Sequence, residues 1–109
     1  MRYRFILTAQ AEADIHRIFD RLSERSPEGA RRWYESFWGA VERLKTNPLA
    51  CGLAYEHKDF PEELRHLLFG TRKGRIYRAL FMVQGDEAVI LAIKAPGEKP
   101  VTPEELESE

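Results

Sequence analysis

This sequence predicts an α+β fold: an antiparallel-dominated sheet of about four strands, with an N-terminal helix hairpin packed on one face. Three observations carry that expectation. Apolar residues alternate over residues 2–7, as in a half-buried strand. They then recur at helical spacing through two segments with their own start and stop signals. Finally come three short runs rich in Val, Ile, Leu and Phe, separated by glycine-containing turns. The resulting order is β-α-α-β-β-β.

Tyr3, Phe5 and Leu7 share one side of the first strand, and Arg2, Arg4 and Ile6 the other. Thr8 is placed to N-cap the first helix. Ala11, Ile15, Ile18, Phe19 and Leu22 form its apolar stripe, with Glu12, His16, Arg17 and Asp20 outside it. Ser26-Pro27-Glu28 ends that helix and starts the next, giving a capping hydroxyl, a proline at the first helical position and an acid in the first turn. The second helix should run to Lys45. Its buried stripe is Ala30, Trp33, Phe37, Val41 and Leu44, Gly39 lies on the opposite face, and Asn47-Pro48 stops it. Two amphipathic helices with a short break make an antiparallel hairpin. Residues 48–63 read as loop. Strands are expected at 64–69, 75–84 and 88–95, with turns at 70–74 and at Gly85-Asp86. Turns this short make the three-strand meander antiparallel. Thr102-Pro103-Glu104-Glu105 offers a start for a short helix.

A chain of 109 residues is one domain, read here as residues 1–97 with an acidic tail at 98–109. Its hydrophobic share of 43%, with 6 Phe, 4 Tyr and 2 Trp, excludes a disordered chain. The single cysteine, Cys51, excludes an intramolecular disulfide and a four-cysteine zinc site, and suits a reducing compartment. No apolar run approaches membrane-span length, and the N-terminus has no secretory apolar region. A cytoplasmic protein with no membrane contact is the expectation.

Charge is unevenly spread. The net charge is −1, yet residues 98–109 alone carry five Glu against Lys99. A mildly basic body therefore precedes the acidic tail. Within that body, residues 65–78 hold five Lys/Arg, one His and no acid: Arg65, Arg72, Lys73, Arg75 and Arg78, with His66. A cationic block on a strand–turn–strand points to a phosphate-bearing or acidic partner. The same residues also suit a solvated edge that resists edge-to-edge pairing. Tyr77 shares parity with Ala79, Phe81 and Val83, and Arg78 with Ile76, Leu80 and Met82. Either set is apolar enough to face the helices.

The remaining reactive side chains give weaker signals. His16 falls on the polar side of the first helix, and His57 in the charged run Glu56-His57-Lys58-Asp59. Only His66 is near the basic block. The histidines lack zinc-site spacing, so no metal and no other cofactor is expected. Cys51 has no basic neighbour in sequence to activate it. Trp38 lies at the margin of the second helix's apolar stripe beside Tyr34, suiting either a core aromatic or a partly exposed anchor for a partner.

Four local patterns, in this order, resemble the RelE/ParE family of toxins from bacterial type II toxin–antitoxin (plasmid stabilisation) systems. They are Leu7-Thr8-Ala9-Gln10-Ala11-Glu12-Ala13-Asp14-Ile15; Leu44-Lys45-Thr46-Asn47-Pro48 with Gly52 after it; Leu64-Arg65-His66-Leu67 followed by a turn into Tyr77-Arg78-Ala79-Leu80-Phe81; and Val89-Ile90-Leu91-Ala92-Ile93. The resemblance spans residues 2–97. It implies a growth-inhibiting toxin neutralised by a cognate antitoxin, whose apolar segment would meet Tyr34 and Trp38 and whose acids would cover the basic strands. RelE-like members cleave mRNA on the ribosome without metal, and ParE-like members poison DNA gyrase. By resemblance Arg78 occupies the position of a catalytic arginine, while Arg65, Arg72, Lys73, Arg75 and Lys94 would hold phosphates or an acidic partner. Metal-free RNA cleavage also needs proton transfer to and from the reacting oxygens. Yet after Arg78 the chain has Lys94 and Lys99 but no Arg, His or Tyr. The expectation is therefore a ParE-leaning toxin that binds an antitoxin and inhibits growth through gyrase. A RelE-like nuclease and a non-toxic binding protein of the same fold are the alternatives.

Overall fold

The computed structural model describes residues 2–70 and 75–107. Strand β1 (Arg4–Leu7) leads into helices α1 (Ala9–Arg25) and α2 (Pro27–Leu44). Two short 3-10 turns, Pro48–Ala50 and Tyr55–Asp59, precede strands β2 (Arg65–Gly70), β3 (Ile76–Gln84) and β4 (Glu87–Lys94), and helix α3 (Pro103–Glu107) follows. The expected α+β order holds. The stretch read as loop contains the two 3-10 turns, and Leu53 bridges Arg65 at the outer edge of β2.

Single residues do the joining. The Thr8 hydroxyl accepts from the Ala11 N–H at 3.1 Å, capping α1, and donates to the Leu91 carbonyl at 3.1 Å. Ser26 ends α1 by donating its N–H to Leu22 and starts α2 by accepting from the Gly29 N–H at 3.0 Å. One residue serving both caps leaves the hairpin no slack.

The sheet order is β1-β4-β3-β2. Short connections make β2, β3 and β4 antiparallel, whereas β1 lies parallel to β4, with Phe5 opposite Ala88 and Leu7 opposite Ile90. The sheet is therefore mixed. No turn joins β1 to β4, so nothing local forces that pair antiparallel. Beyond Leu7, α1 takes over the free edge of β4. Buried Asp14 accepts from the Ile93 N–H at 2.9 Å and from the Gln10 amide at 2.8 Å.

Both faces of the sheet are covered. On one, Ile15, Ile18, Trp33, Phe37, Val41 and Leu44 of the helices pack on Leu67, Phe69, Tyr77, Ala79, Phe81, Ile90 and Ile93. On the other, Leu64, Leu80, Leu91 and Ala92 are sealed by Ala54 and Val101, with Phe60, Met82, Val89 and Leu106 at the margin. This second layer explains why residues 79–83 and 88–93 run apolar without alternating. A bulge in the β3–β4 pairing places Leu91 and Ala92 in the same small core. The acidic segment after residue 97 closes this layer through Val101, which is 2% exposed.

The ambiguity of parity resolves here. Tyr77 faces the helices and Arg78 faces the second layer. Gly85, at φ +63°, opens the two-residue β3–β4 turn, a conformation that favours glycine.

Gly39 is exposed in mid-helix, and a Cβ built there meets nothing within 4 Å. Gly39→Ala should therefore stabilise the protein by about 1 kcal/mol, read from the midpoint of urea unfolding. An unchanged or lower midpoint would show that α2 gains nothing from alanine there.

Candidate functional site

Among the described residues of the basic block, Arg65, Arg75 and Arg78 do not form one patch. Arg65 turns its guanidinium onto the 49–51 loop, donating to the Cys51 carbonyl at 2.7 Å and the Leu49 carbonyl at 3.4 Å, and pairs with Glu63 at 3.0 Å. Lys94 lies 3.8 Å from Glu105. Arg75 is exposed at the start of β3 and borders a cavity at the tip of the helix hairpin. Arg72 and Lys73 lie outside the described residues. Of what reads in sequence as a contiguous run, the described Arg65, Arg75 and Arg78 meet different neighbours.

Arg78 is the most constrained of the set. Its Nη1 and Nη2 donate to Oε1 and Oε2 of Glu56, each at 2.8 Å, a bidentate pair. Glu56 is 2% exposed and also accepts from the Val101 N–H at 3.1 Å. The Arg78 guanidinium lies 4.4 Å from the ring centre of Tyr55. Burial pushes the Glu56 carboxyl up, but the Arg78 hydrogen bonds and the Val101 N–H outweigh it and hold the group below its ordinary range. The Glu56 hydrogen bond likewise raises Arg78, against its burial. Both partners stay charged. The arginine's paired donors bind a carboxylate of its own chain, so in this arrangement they are not turned toward an outside phosphate.

Neighbouring groups add little acid–base chemistry. Burial, then the nearby Arg78 charge, lowers His66, favouring the neutral ring, and its Nδ1 is buried with no partner among the described residues. Burial pushes the Cys51 thiol up, which disfavours a nucleophilic thiolate. Among the described residues, no group of three His, Cys, Asp or Glu is arranged to hold a metal ion.

Apolar surface is available instead. Leu53, Tyr55, Leu68 and Ile76 are exposed around the β2 side of the second layer. On the hairpin, Tyr34 is 40% exposed while Trp38 is half-buried. Both sit in an edge-to-face aromatic row running Phe19–Tyr34–Trp38–Phe5. Trp38 is thus partly a core aromatic and partly a surface one. The sequence reading missed Glu56, Tyr55 and Val101. They lie in irregular segments, where no periodicity marks a residue as buried.

The pair yields a thermodynamic prediction. Glu56→Gln or Arg78→Met should cost about 3–5 kcal/mol, because each leaves its partner buried and uncompensated. Glu56→Met combined with Arg78→Met should recover most of that loss, and strictly additive losses in urea unfolding would refute the pairing. The pH dependence has a defined sign. Glu56 holds its proton less tightly when folded than its ordinary value of 4.5. Its contribution is complete above that value and is lost as pH falls through the lower folded value. Wild-type stability should fall in that acid window, and Glu56→Gln should flatten the fall.

The sequence matches, over residues 5–98, the family described as the ParE toxin of the type II toxin–antitoxin system, parDE. No curated protein matches it. Among solved structures, a chain from one described as the chromosomal ParDE TA system from P. aeruginosa is similar, with a TM-score of 0.68 and 24% identity. That alignment covers 86% of this chain and 96% of the other, and at such identity it establishes a shared fold. No described helix is long and apolar enough to cross a membrane. With the family match extending from β1 to just past β4, this chain belongs to the ParE toxin family of type II toxin–antitoxin systems.

Proposed function

We propose that the chain is a growth-inhibiting toxin that acts by binding, through DNA gyrase, and that a cognate antitoxin neutralises it. The observation that carries the gyrase reading over RNA cleavage is the state of Arg78. A metal-free nuclease needs free cations at the scissile phosphate and groups that exchange protons with the reacting oxygens. Here the motif arginine is bound by Glu56, Lys94 lies beside Glu105, and no Arg, His or Tyr follows Arg78. His66, which feels the Arg78 charge, is pushed toward its neutral form by burial and by that positive charge.

Two features support antitoxin binding. β2 ends the sheet, and past its start, where Leu53 already bridges Arg65, the exposed Leu68 and Tyr55 offer apolar contacts to an added extended segment. The Tyr34–Trp38 step offers a second apolar strip on the hairpin.

Induced expression should arrest growth, and the purified chain should inhibit gyrase supercoiling while leaving ribosome-bound mRNA uncut in primer extension. Co-expression of the antitoxin from the adjoining reading frame should restore growth. Ribosome-dependent mRNA cleavage with supercoiling intact would overturn the gyrase reading. Absence of growth arrest would leave a binding protein without toxicity.

A further inference from the structure

A cavity of about 690 Å³ lies where the tip of the helix hairpin meets the start of β3 and the end of β4. Four arginines border it: Arg21 and Arg25 from the end of α1, Arg32 from the start of α2, and Arg75 from the strand side. Chain separation hides this grouping, since Arg75 is far in sequence from the other three. Among the described residues, Arg21, Arg25 and Arg75 make no salt bridge, and Arg32 has only a 3.9 Å approach to Glu28. Like charges gathered in excess of their counter-charges repel one another, and an anion relieves that repulsion.

Tyr77 adds a hydrogen-bonding group to this lining. The residue is 4% exposed, and its hydroxyl makes no hydrogen bond among the described residues. The oxygen itself is not sealed from solvent, so it is free to exchange a water for a ligand atom. Two acids also border the space. Glu98 is engaged by the Ala95 N–H at 2.7 Å and by Arg17 at 3.6 Å, and Glu24 is exposed. The cationic excess therefore stands.

One wall is apolar, formed by Ile18, Leu22, Ala95 and Pro96. The volume falls within the range of small-molecule sites, roughly 300–1,000 Å³. An apolar wall suits a base, and several guanidinium groups suit more than one phosphate. We propose that this cavity binds a nucleoside polyphosphate, with its phosphates among Arg21, Arg25, Arg32 and Arg75. The site is separate from the Arg78–Glu56 pair, and its occupancy does not depend on which target the toxin inhibits.

Isothermal titration of the full chain with ATP, inorganic tripolyphosphate and a hexaglutamate peptide tests this. ATP should bind one-to-one and at least about tenfold more tightly than tripolyphosphate. Arg25→Ala and Arg75→Ala, both at exposed positions, should each weaken ATP binding by about tenfold or more. Tyr77→Phe should weaken it by a smaller factor. Arg2→Ala, at the opposite end of the hairpin, should leave it unchanged. ATP should also raise the melting temperature of the wild type. The proposal is overturned if ATP shows no saturable binding, if tripolyphosphate or hexaglutamate binds as tightly as ATP, or if Arg25→Ala and Arg75→Ala bind like wild type.

Discussion

Glu56 and Arg78 depend on each other because neither charge is well placed to reach water. Removing a carboxylate and a guanidinium from solvent is costly, and only close bidentate pairing with further hydrogen bonds offsets that cost. Here the offset comes from the two 2.8 Å contacts, the Val101 N–H and the face of Tyr55. Each partner sits on a different piece of chain. Arg78 belongs to β3, Glu56 to the second 3-10 turn, and Val101 to the segment after β4. The pair therefore fastens two irregular segments to the sheet face opposite the helices. Leu64, Leu80 and Ala92 remain buried because those segments stay in place.

This constraint also bears on function. An arginine on a central strand, at the end of a basic run of sequence, invites a catalytic reading. Its surroundings favour a structural one, since a guanidinium already paired with an internal carboxylate must break that pair before serving an outside phosphate. Among the described residues, Arg21, Arg25 and Arg75, which form no salt bridge, lie elsewhere, around the hairpin tip. The internally paired arginine and the arginine cluster at the cavity are thereby separated within one fold. The exposed apolar side chains beside β2 and the aromatic row on the hairpin leave further surface.

Much of the architecture was legible because it rests on local rules. Thr8 and Ser26 cap as their hydroxyls predict, and the stripe Ala30, Trp33, Phe37, Val41 and Leu44 is buried throughout. The Gly85-Asp86 turn sits between β3 and β4, where two-residue turn chemistry places it. The second layer was harder to read. Its signal was present in the unbroken apolar run Ala79-Leu80-Phe81-Met82-Val83, which a strand buried on only one face does not need. Nothing local identified what would cover that face, because Ala54, Glu56 and Val101 lie in stretches without period. The separation of the cationic residues is hidden for a related reason. Proximity in sequence grouped Arg65, Arg75 and Arg78, whereas the alternation of side chains along strands and the folding back of loops sent them to different neighbours. The parallel pairing of β1 with β4 was equally out of reach, since it depends on where the whole hairpin returns the chain.

The central claim is that the Arg78–Glu56 pair holds the second layer onto the sheet. Native-state hydrogen exchange at the Val101 amide, followed in the wild type and in Arg78→Met, tests it most directly. The Ile93 amide, which donates to Asp14 on the other side of the molecule, is the internal reference. The account predicts a strongly protected Val101 amide in the wild type. In the variant that protection should drop by at least about tenfold more than any change at Ile93. Fast exchange at Val101 in the wild type, or equal loss at Val101 and Ile93 in the variant, would contradict it.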